Sequence, residues 1–231
     1  MNKISIICSN YNSDKWIYEY LQYVNNQDFK EFDIIFVDAN STDQSLEKIK
    51  NYKFDSKINK KIIECNSRIG LYSAWNIAIK ASTTEYIMNY NTDDMLYNNA
   101  ISIYNNHLVN NPEIDLFYGP CVSTLNRNIN DINLLYDWPE YSHETMLQFC
   151  FCGPFPLVKK EVFNRIGYFD ESFISSGDYE MWLRMSKFNC KFKRIPETIG
   201  VFHFRQDSIN QSNKLQAIKE DILIQKKWKD K

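Results

Sequence analysis

A mixed α/β fold built around a mainly parallel sheet is what this chain of 231 residues predicts, on two observations. Short apolar runs at residues 4–8, 33–37 and 86–90 alternate with stretches of helical period, and each run breaks into polar turn formers. Such alternation implies right-handed crossovers, so successive strands end on one edge of the sheet. The run at 86–90 also stops on Asn91-Thr92-Asp93-Asp94, placing two adjacent carboxylates on the edge where open α/β sheets bind ligands.

Composition bounds the rest. Hydrophobic residues at 44% and aromatics at 15% suit a folded chain with a substantial core, and one large domain is expected over residues 1–212. Its first half would be about 1–97 and its second about 98–212, with an appended amphipathic basic helix at 213–231. A net charge of −2 gives no drive toward nucleic acid. The first apolar run is too short for a secretory signal and nothing later is long enough to cross a bilayer, so a cytoplasmic location is expected. Cys8, Cys65, Cys121, Cys150, Cys152 and Cys190 show no CxxC spacing and read as reduced thiols in apolar surroundings.

In order, residues 4–8 form a strand that opens into the polar loop Ser9-Asn10-Tyr11-Asn12-Ser13-Asp14. Trp16, Tyr20 and Val24 follow at helical spacing. The second unit repeats this: a strand at 33–37, a loop from Asp38 to Asp43, and a helix for which Ser41 and Gln44 make a capping box. A third strand covers 61–64, and the loop around Arg68 and Gly70 leads to a helix rich in small and apolar residues from Leu71. After the acidic pair come a helix over 98–110, a strand over 116–119 and a polar segment at 124–140, read as a mobile or acceptor-facing loop. Residues 153–158 are extended, 159–166 form a short helix, and Gly167 is its C′ stop. Ser175-Ser176-Gly177-Asp178 opens another helix, and 191–195 alternates as a strand with one wet face. Residues 214–231 carry six lysines against three acids and set Leu215, Ile218, Ile222 and Trp228 near one helical face, expected to dock on the domain, with contact to an anionic membrane surface as the lesser reading.

Several of these residues have two readings. Adjacent carboxylates repel each other unless a cation, a donor or a proton intervenes, so Asp93 and Asp94 point either to a hard divalent ion such as Mg²⁺ or Mn²⁺ or to an acidic turn that caps the next helix. Asp178 taken alone is an N-cap, and Asp38 alone is a turn residue.

The ordered set of motifs resembles family 2 glycosyltransferases. It runs from Ile4-Ser5-Ile6-Ile7-Cys8-Ser9-Asn10-Tyr11-Asn12 through Val37-Asp38-Ala39-Asn40-Ser41-Thr42-Asp43, Arg68-Ile69-Gly70-Leu71 and Asn91-Thr92-Asp93-Asp94 to Gly177-Asp178-Tyr179-Glu180-Met181-Trp182-Leu183-Arg184. The resemblance implies a GT-A fold, Rossmann-like in its nucleotide half, and an inverting enzyme that uses a nucleotide sugar. It implies that Ser9 and Tyr11 meet the nucleotide, Asp38 accepts a hydrogen bond from the base, and Arg68 stands near the diphosphate. Asp93 and Asp94 would hold Mg²⁺ or Mn²⁺, Asp93 would also contact the nucleotide, and Asp178 would be the general base. His203, alternating with Phe202 and Phe204, is either a further metal or diphosphate ligand or a structural residue. Two departures stand out: Asn91 replaces the usual first acid of the metal motif, and Ala39 the usual second acid after Asp38. The implied partners are a nucleotide-sugar donor, UDP-linked by preference, and a carbohydrate or lipid-linked acceptor met near Trp138, Phe151 and Phe155, in surface polysaccharide or glycoconjugate synthesis. A sugar-nucleotide nucleotidyltransferase fits less well, because the first loop has no glycine. A catalytically silent nucleotide-sugar binding module is the remaining alternative.

Overall fold

The computed structural model describes residues 3–229, the side chains of residues 209 and 210 excepted, and the counts below refer to those residues. Its first part is the expected repeat: β1 (Ile4–Asn10), α1 (Asp14–Asn25), β2 (Asp33–Asp38), α2 (Ser45–Asn51), β3 (Asn59–Glu64), α3 (Leu71–Ala81) and β4 (Tyr86–Asn89). There follow β5 (Met95–Leu96), α4 (Ala100–Asn110), β6 (Leu116–Tyr118), β7 (Cys121–Thr124), β8 (Leu134–Tyr136), α5 (His143–Gln148), β9 (Leu157–Lys159) and α6 (Lys160–Ile166). The last elements are α7 (Gly177–Lys187), β10 (Phe192–Arg194), β11 (Gly200–His203), α8 (Ile209–Ser212) and α9 (Lys214–Lys229).

Seven strands form the main sheet in the order β10-β6-β9-β4-β1-β2-β3. β1 lies at its heart, parallel to both β2 and β4, with Asn10 opposite Asp38 and Ile7 opposite Asn89. Only β9 runs against its neighbours, between β4 and β6. Strands from both sides of residue 98 therefore join in one sheet, with β9, β6 and β10 added in a block beyond β4. Side chains on successive residues point to opposite faces, and here both faces are covered. Ile7, Ile35 and Ile87 face a cluster with Trp75, Ile79, Trp182 and Leu183, whereas Ile6, Ile34 and Met88 face Tyr20, Leu21 and Ile101. This is why these strands read as continuous apolar runs. A second sheet, β5-β11-β7-β8, pairs β11 parallel to β7 and antiparallel to β5.

Three expectations need correction. The polar segment at 124–140 is not simply a loop, since β8 pairs antiparallel with β7 and closes the second sheet. The capping box is absent, because the helix begins at Ser45 and Ser41 is drawn back to Asp38. The face assigned to the C-terminal helix is also rotated: Leu215, Ile218 and Ile222 are exposed, Trp228 is buried as expected, and its buried companions are Ala217, Glu220 and Ile224. Residues 230–231, expected in that helix, and residues 1–2, expected in the domain, lie outside the described residues.

Polar contacts set the rotation of α9. Glu220 accepts the backbone N–H of Ile174, Ser175 and Ser176, each at 2.9 Å, and so answers donors at the start of α7. Lys227 pairs at 2.9 Å with the buried Glu180, which also holds Arg184. Burial would raise the Glu220 carboxyl, but the N–H groups of Ile174, Ser175 and Ser176 and the Gln216 amide outweigh it and hold the group below its ordinary range. Its stabilising contribution is thus full above that range and is lost as the pH falls through its lowered folded value. Glu220→Ala is expected to lower stability by about 2 kcal/mol and Tm by about 4–8 °C at pH 7. In scanning calorimetry, the gap from wild type should narrow as the pH drops toward 3–4, about the ordinary carboxyl range.

Candidate active site

The ends of β1 and β2 are stitched together before any ligand is considered. Asn10 is buried, and its Nδ2 lies 2.6 Å from Asp38 Oδ1 and 3.0 Å from Ser45 Oγ. Asp38 also accepts the Ser41 hydroxyl at 2.6 Å and the Ser41 N–H at 3.0 Å. Asn12, at φ 49°, uses the left-handed region that asparagine tolerates, and its Oδ1 accepts the Thr42 N–H at 2.8 Å. Asp38 is only 1% exposed. Its three accepted bonds, two on Oδ1 and one on Oδ2, hold the two loops together, and the expected hydrogen bond accepted from a base would have to come to Oδ2. Beside it the structure does bring Tyr11 and Arg68 together: both are exposed, with the guanidinium 4.4 Å from the ring centroid. Ser9, paired with Val37 in the last turn of the ladder, is half-buried beneath them.

The acidic pair divides. Asp94 is buried, its Oδ1 accepting the His203 N–H at 3.0 Å, which ties β11 to the end of β4. Burial first, then the charge of Asp93, pushes the Asp94 carboxyl well above the usual range. Asp93 is turned outward to Arg205, whose Nε and Nη2 lie 2.9 and 2.8 Å from its Oδ2. Arg127 donates to the backbone carbonyls of Asp93 and Thr92, at 3.2 and 3.3 Å, and pairs with Glu19. Burial, and then the neighbouring Arg205, lower Arg127 to about 10, which leaves it charged at neutral pH. The Trp16 ring gathers both guanidinium groups, at 4.9 and 5.6 Å, and packs edge-on against His203 at 5.3 Å. His203 is buried, and desolvation keeps its imidazole neutral.

As arranged, these groups do not make the expected divalent-cation site. Asp94 faces inward, Asp93 is satisfied by a guanidinium, and no three His, Cys, Asp or Glu side chains converge as a ligand set among the described residues. His203 packs edge-on against Trp16 and feels the charge of Asp93, and its Nδ1 is buried with no hydrogen-bond partner among the described residues.

Asp178 opens α7 and is half-buried. Its Oδ1 accepts the Tyr179 N–H at 2.9 Å and is 3.4 Å from the Tyr72 hydroxyl. Tyr72 belongs to the helix that follows the Arg68 loop, so one side chain links the nucleotide-side edge to α7. The approach is close enough to require Gly177, where an added Cβ would lie 2.7 Å from the Tyr72 ring. Burial pushes the Asp178 carboxyl up to about 6 against the hydrogen bonds that favour its charge. Cys152 is near enough to be raised by Asp178, Cys121 near enough to be raised by Asp94, and the Trp138 indole donates to the Gly153 carbonyl at 2.9 Å between them. Of the aromatics expected to face an acceptor, only Trp138 retains a partly open face; Phe151 and Phe155 are core residues, because that segment feeds β9 into the middle of the main sheet.

Arg127, Arg205, Trp16 and Glu220 are functional candidates that the sequence reading missed. The arginines meet only through tertiary pairing: β7 and β11 are parallel with Thr124 opposite His203, so the residues just past both ends share an edge.

A family model described as Glycosyl transferase family 2 matches residues 5–167. The chain is 30% identical to the chondroitin synthase of Escherichia coli over 196 residues, 83% of this chain but 27% of that protein's length. It is 26% identical to an uncharacterized glycosyltransferase of Methanocaldococcus jannaschii over 239 residues, 99% of this chain and 80% of the other. In fold it resembles residues 1–349 of S. aureus TarS in complex with UDP-GlcNAc, with TM-score 0.77 at 19% identity, over 96% of this chain and 66% of that one. It also resembles a mannosyltransferase of Pyrobaculum calidifontis in complex with GDP-Man and Mn²⁺, with TM-score 0.73 at 16% identity, over 96% and 64%.

The raised Asp178 carboxyl has a signature independent of turnover. Carbon-13 NMR of the side-chain carboxyls should show a midpoint near pH 6 that Asp178→Asn removes. The folded state holds this proton where the unfolded chain has lost it, so Asp178 lowers stability as the pH rises from about 4 to 6. Asp178→Asn should therefore raise Tm at pH 7, with the gain shrinking below pH 4–5, about where unfolded Asp titrates.

Proposed function

From the premise that the chain belongs to glycosyl transferase family 2, with the GT-A fold, we propose that it moves a sugar from a nucleotide donor to a carbohydrate or lipid-linked acceptor, inverting the anomeric centre. The observation that carries this reading is the pairing of one cation-lined strand edge, at Tyr11, Arg68 and Asp93, with a separate carboxylate at Asp178 raised to about 6. A group with that pKa is ionised at neutral pH yet basic enough to share a proton. In the proposed step an acceptor hydroxyl attacks the anomeric carbon as its proton passes to Asp178. The bond to the diphosphate oxygen breaks on the opposite face, and its electron pair leaves with the nucleoside diphosphate. One carboxylate suffices, since no covalent sugar intermediate needs a second.

The nucleotide is proposed to be UDP, its base resting on the exposed Tyr11 ring. The UDP-GlcNAc complex of TarS supports a nucleotide-sugar donor, and the chondroitin synthase relative supports a saccharide acceptor. Surface polysaccharide or glycoconjugate synthesis is the proposed setting, which agrees with the relative described as a GalNAc(5)-diNAcBac-PP-undecaprenol β-1,3-glucosyltransferase.

A panel of UDP-, GDP- and dTDP-sugars is expected to yield one donor that is consumed. Asp178→Asn should cut transfer about 10²–10⁴-fold while changing donor affinity by less than about threefold. Unchanged transfer in that variant would remove Asp178 from the mechanism, and no donor consumed or bound would favour a silent module.

We further propose that the enzyme works at the inner face of the cell membrane. The outward stripe of α9, Leu215, Ile218, Ile222 and Leu223, is exposed among the exposed Lys214, Lys219 and Lys226. Co-sedimentation with phosphatidylglycerol vesicles should be lost when Leu215, Ile218 and Ile222 are changed to Ser. Sedimentation that is equal for both proteins would remove the membrane from the reading.

A further inference from the structure

Asp93 already carries a cation. Two nitrogens of Arg205 share its Oδ2, and the third faces Asp207 at 3.3 Å. Three of the five guanidinium N–H groups thus have a carboxylate partner among the described residues, which leaves two for an incoming oxyanion.

The position is built, not incidental. The preceding residue continues the β7–β11 pairing through the Phe204 N–H, 2.9 Å from the Thr124 carbonyl, and this fixes where the Arg205 side chain departs. Trp16 lies along the guanidinium, and Arg127 anchors the chain beneath Asp93 through backbone carbonyls. The Arg205 side chain is 20% exposed, so it is shielded from bulk salt yet open on one side.

A divalent ion placed on Asp93 would have to displace this guanidinium and sit beside Arg127. It would find Asp94 buried, with Oδ1 already accepting the His203 N–H. A guanidinium can instead bridge a carboxylate and a phosphate with its fork of donors.

We infer that Arg205 is the resident cation of this site: it bridges Asp93 to the donor's diphosphate and offsets the charge that develops on the departing nucleoside diphosphate, so donor binding requires no divalent metal. This rests on the nucleotide-sugar reading above. It sets the chain apart from the mannosyltransferase of similar fold, whose complex contains Mn²⁺.

The test is calorimetric titration of UDP, and separately GDP, into the full chain in EDTA and in Mn²⁺. Wild type should bind in EDTA within about threefold of its affinity in Mn²⁺, whereas Arg205→Met should lose about tenfold or more in EDTA. Because Arg205→Met frees Asp93, Mn²⁺ should recover part of that loss. Arg205→Lys keeps the charge without the fork and should fall between the two, giving a second measure should the Met variant fold poorly. Wild-type binding that needs Mn²⁺, or Arg205→Met binding as wild type does in EDTA, would overturn the assignment while leaving the donor reading intact. Failure of both nucleotides to bind in either buffer would overturn the two together.

Discussion

Parallel pairing of β1 with β2 on one side and β4 on the other is the constraint on which the rest of this molecule depends. A parallel neighbour cannot be reached by a tight turn, so each strand is followed by a crossover, and every strand end falls on one edge. The polar loops after β1, β2 and β4 are therefore neighbours by geometry, although they are far apart in the chain. Hydrogen bonds then turn that closeness into a rigid rim, with Asn10, Asp38 and Ser45 forming its buried centre. The exposed Tyr11 and Arg68 stand on a foundation whose polar groups are already satisfied.

The second sheet supplies what the first lacks. The ends of β1, β2 and β4 carry mainly amides, hydroxyls and carboxylates, whereas the segments after β7 and β11 carry Arg127 and Arg205. Asp94 joins the two sheets by accepting the His203 N–H, and Asp93 faces the resulting seam. Two neighbouring carboxylates thus avoid mutual repulsion by different means: one is buried with a raised pKa, the other is matched by a guanidinium.

Much of the main sheet was legible in the sequence, because fully buried strands and amphipathic helices leave local periodicities. Asp178 was legible too, since glycine and serine before a helical period announce a helix start. The rotation of α9 was not. Its sequence offers two apolar stripes, and the choice between them is made by Glu220 and Lys227 reaching residues some forty positions away. The same holds for Asp38 and Asp94, whose burial follows from partners on other elements, and for Arg205, whose role depends on the register of β11 with β7. Local pattern reveals elements, but a carboxylate's duty is settled by which donors the fold brings to it.

The hold that Glu220 takes on the turn ahead of α7 also bears on how the protein comes into being. A ribosome emits the strands of the main sheet and the helix bearing Asp178 well before it emits α9. Until that last helix arrives, the turn ahead of α7 has three N–H groups without their native acceptor, and Glu180 waits for one of its two cations. The nucleotide-side rim can consolidate during synthesis, because its stitching closes within the first fifty residues. Arg205 and α9 both emerge after α7, so the cation beside Asp93 and the carboxylate on α7 gain their final settings late and close together.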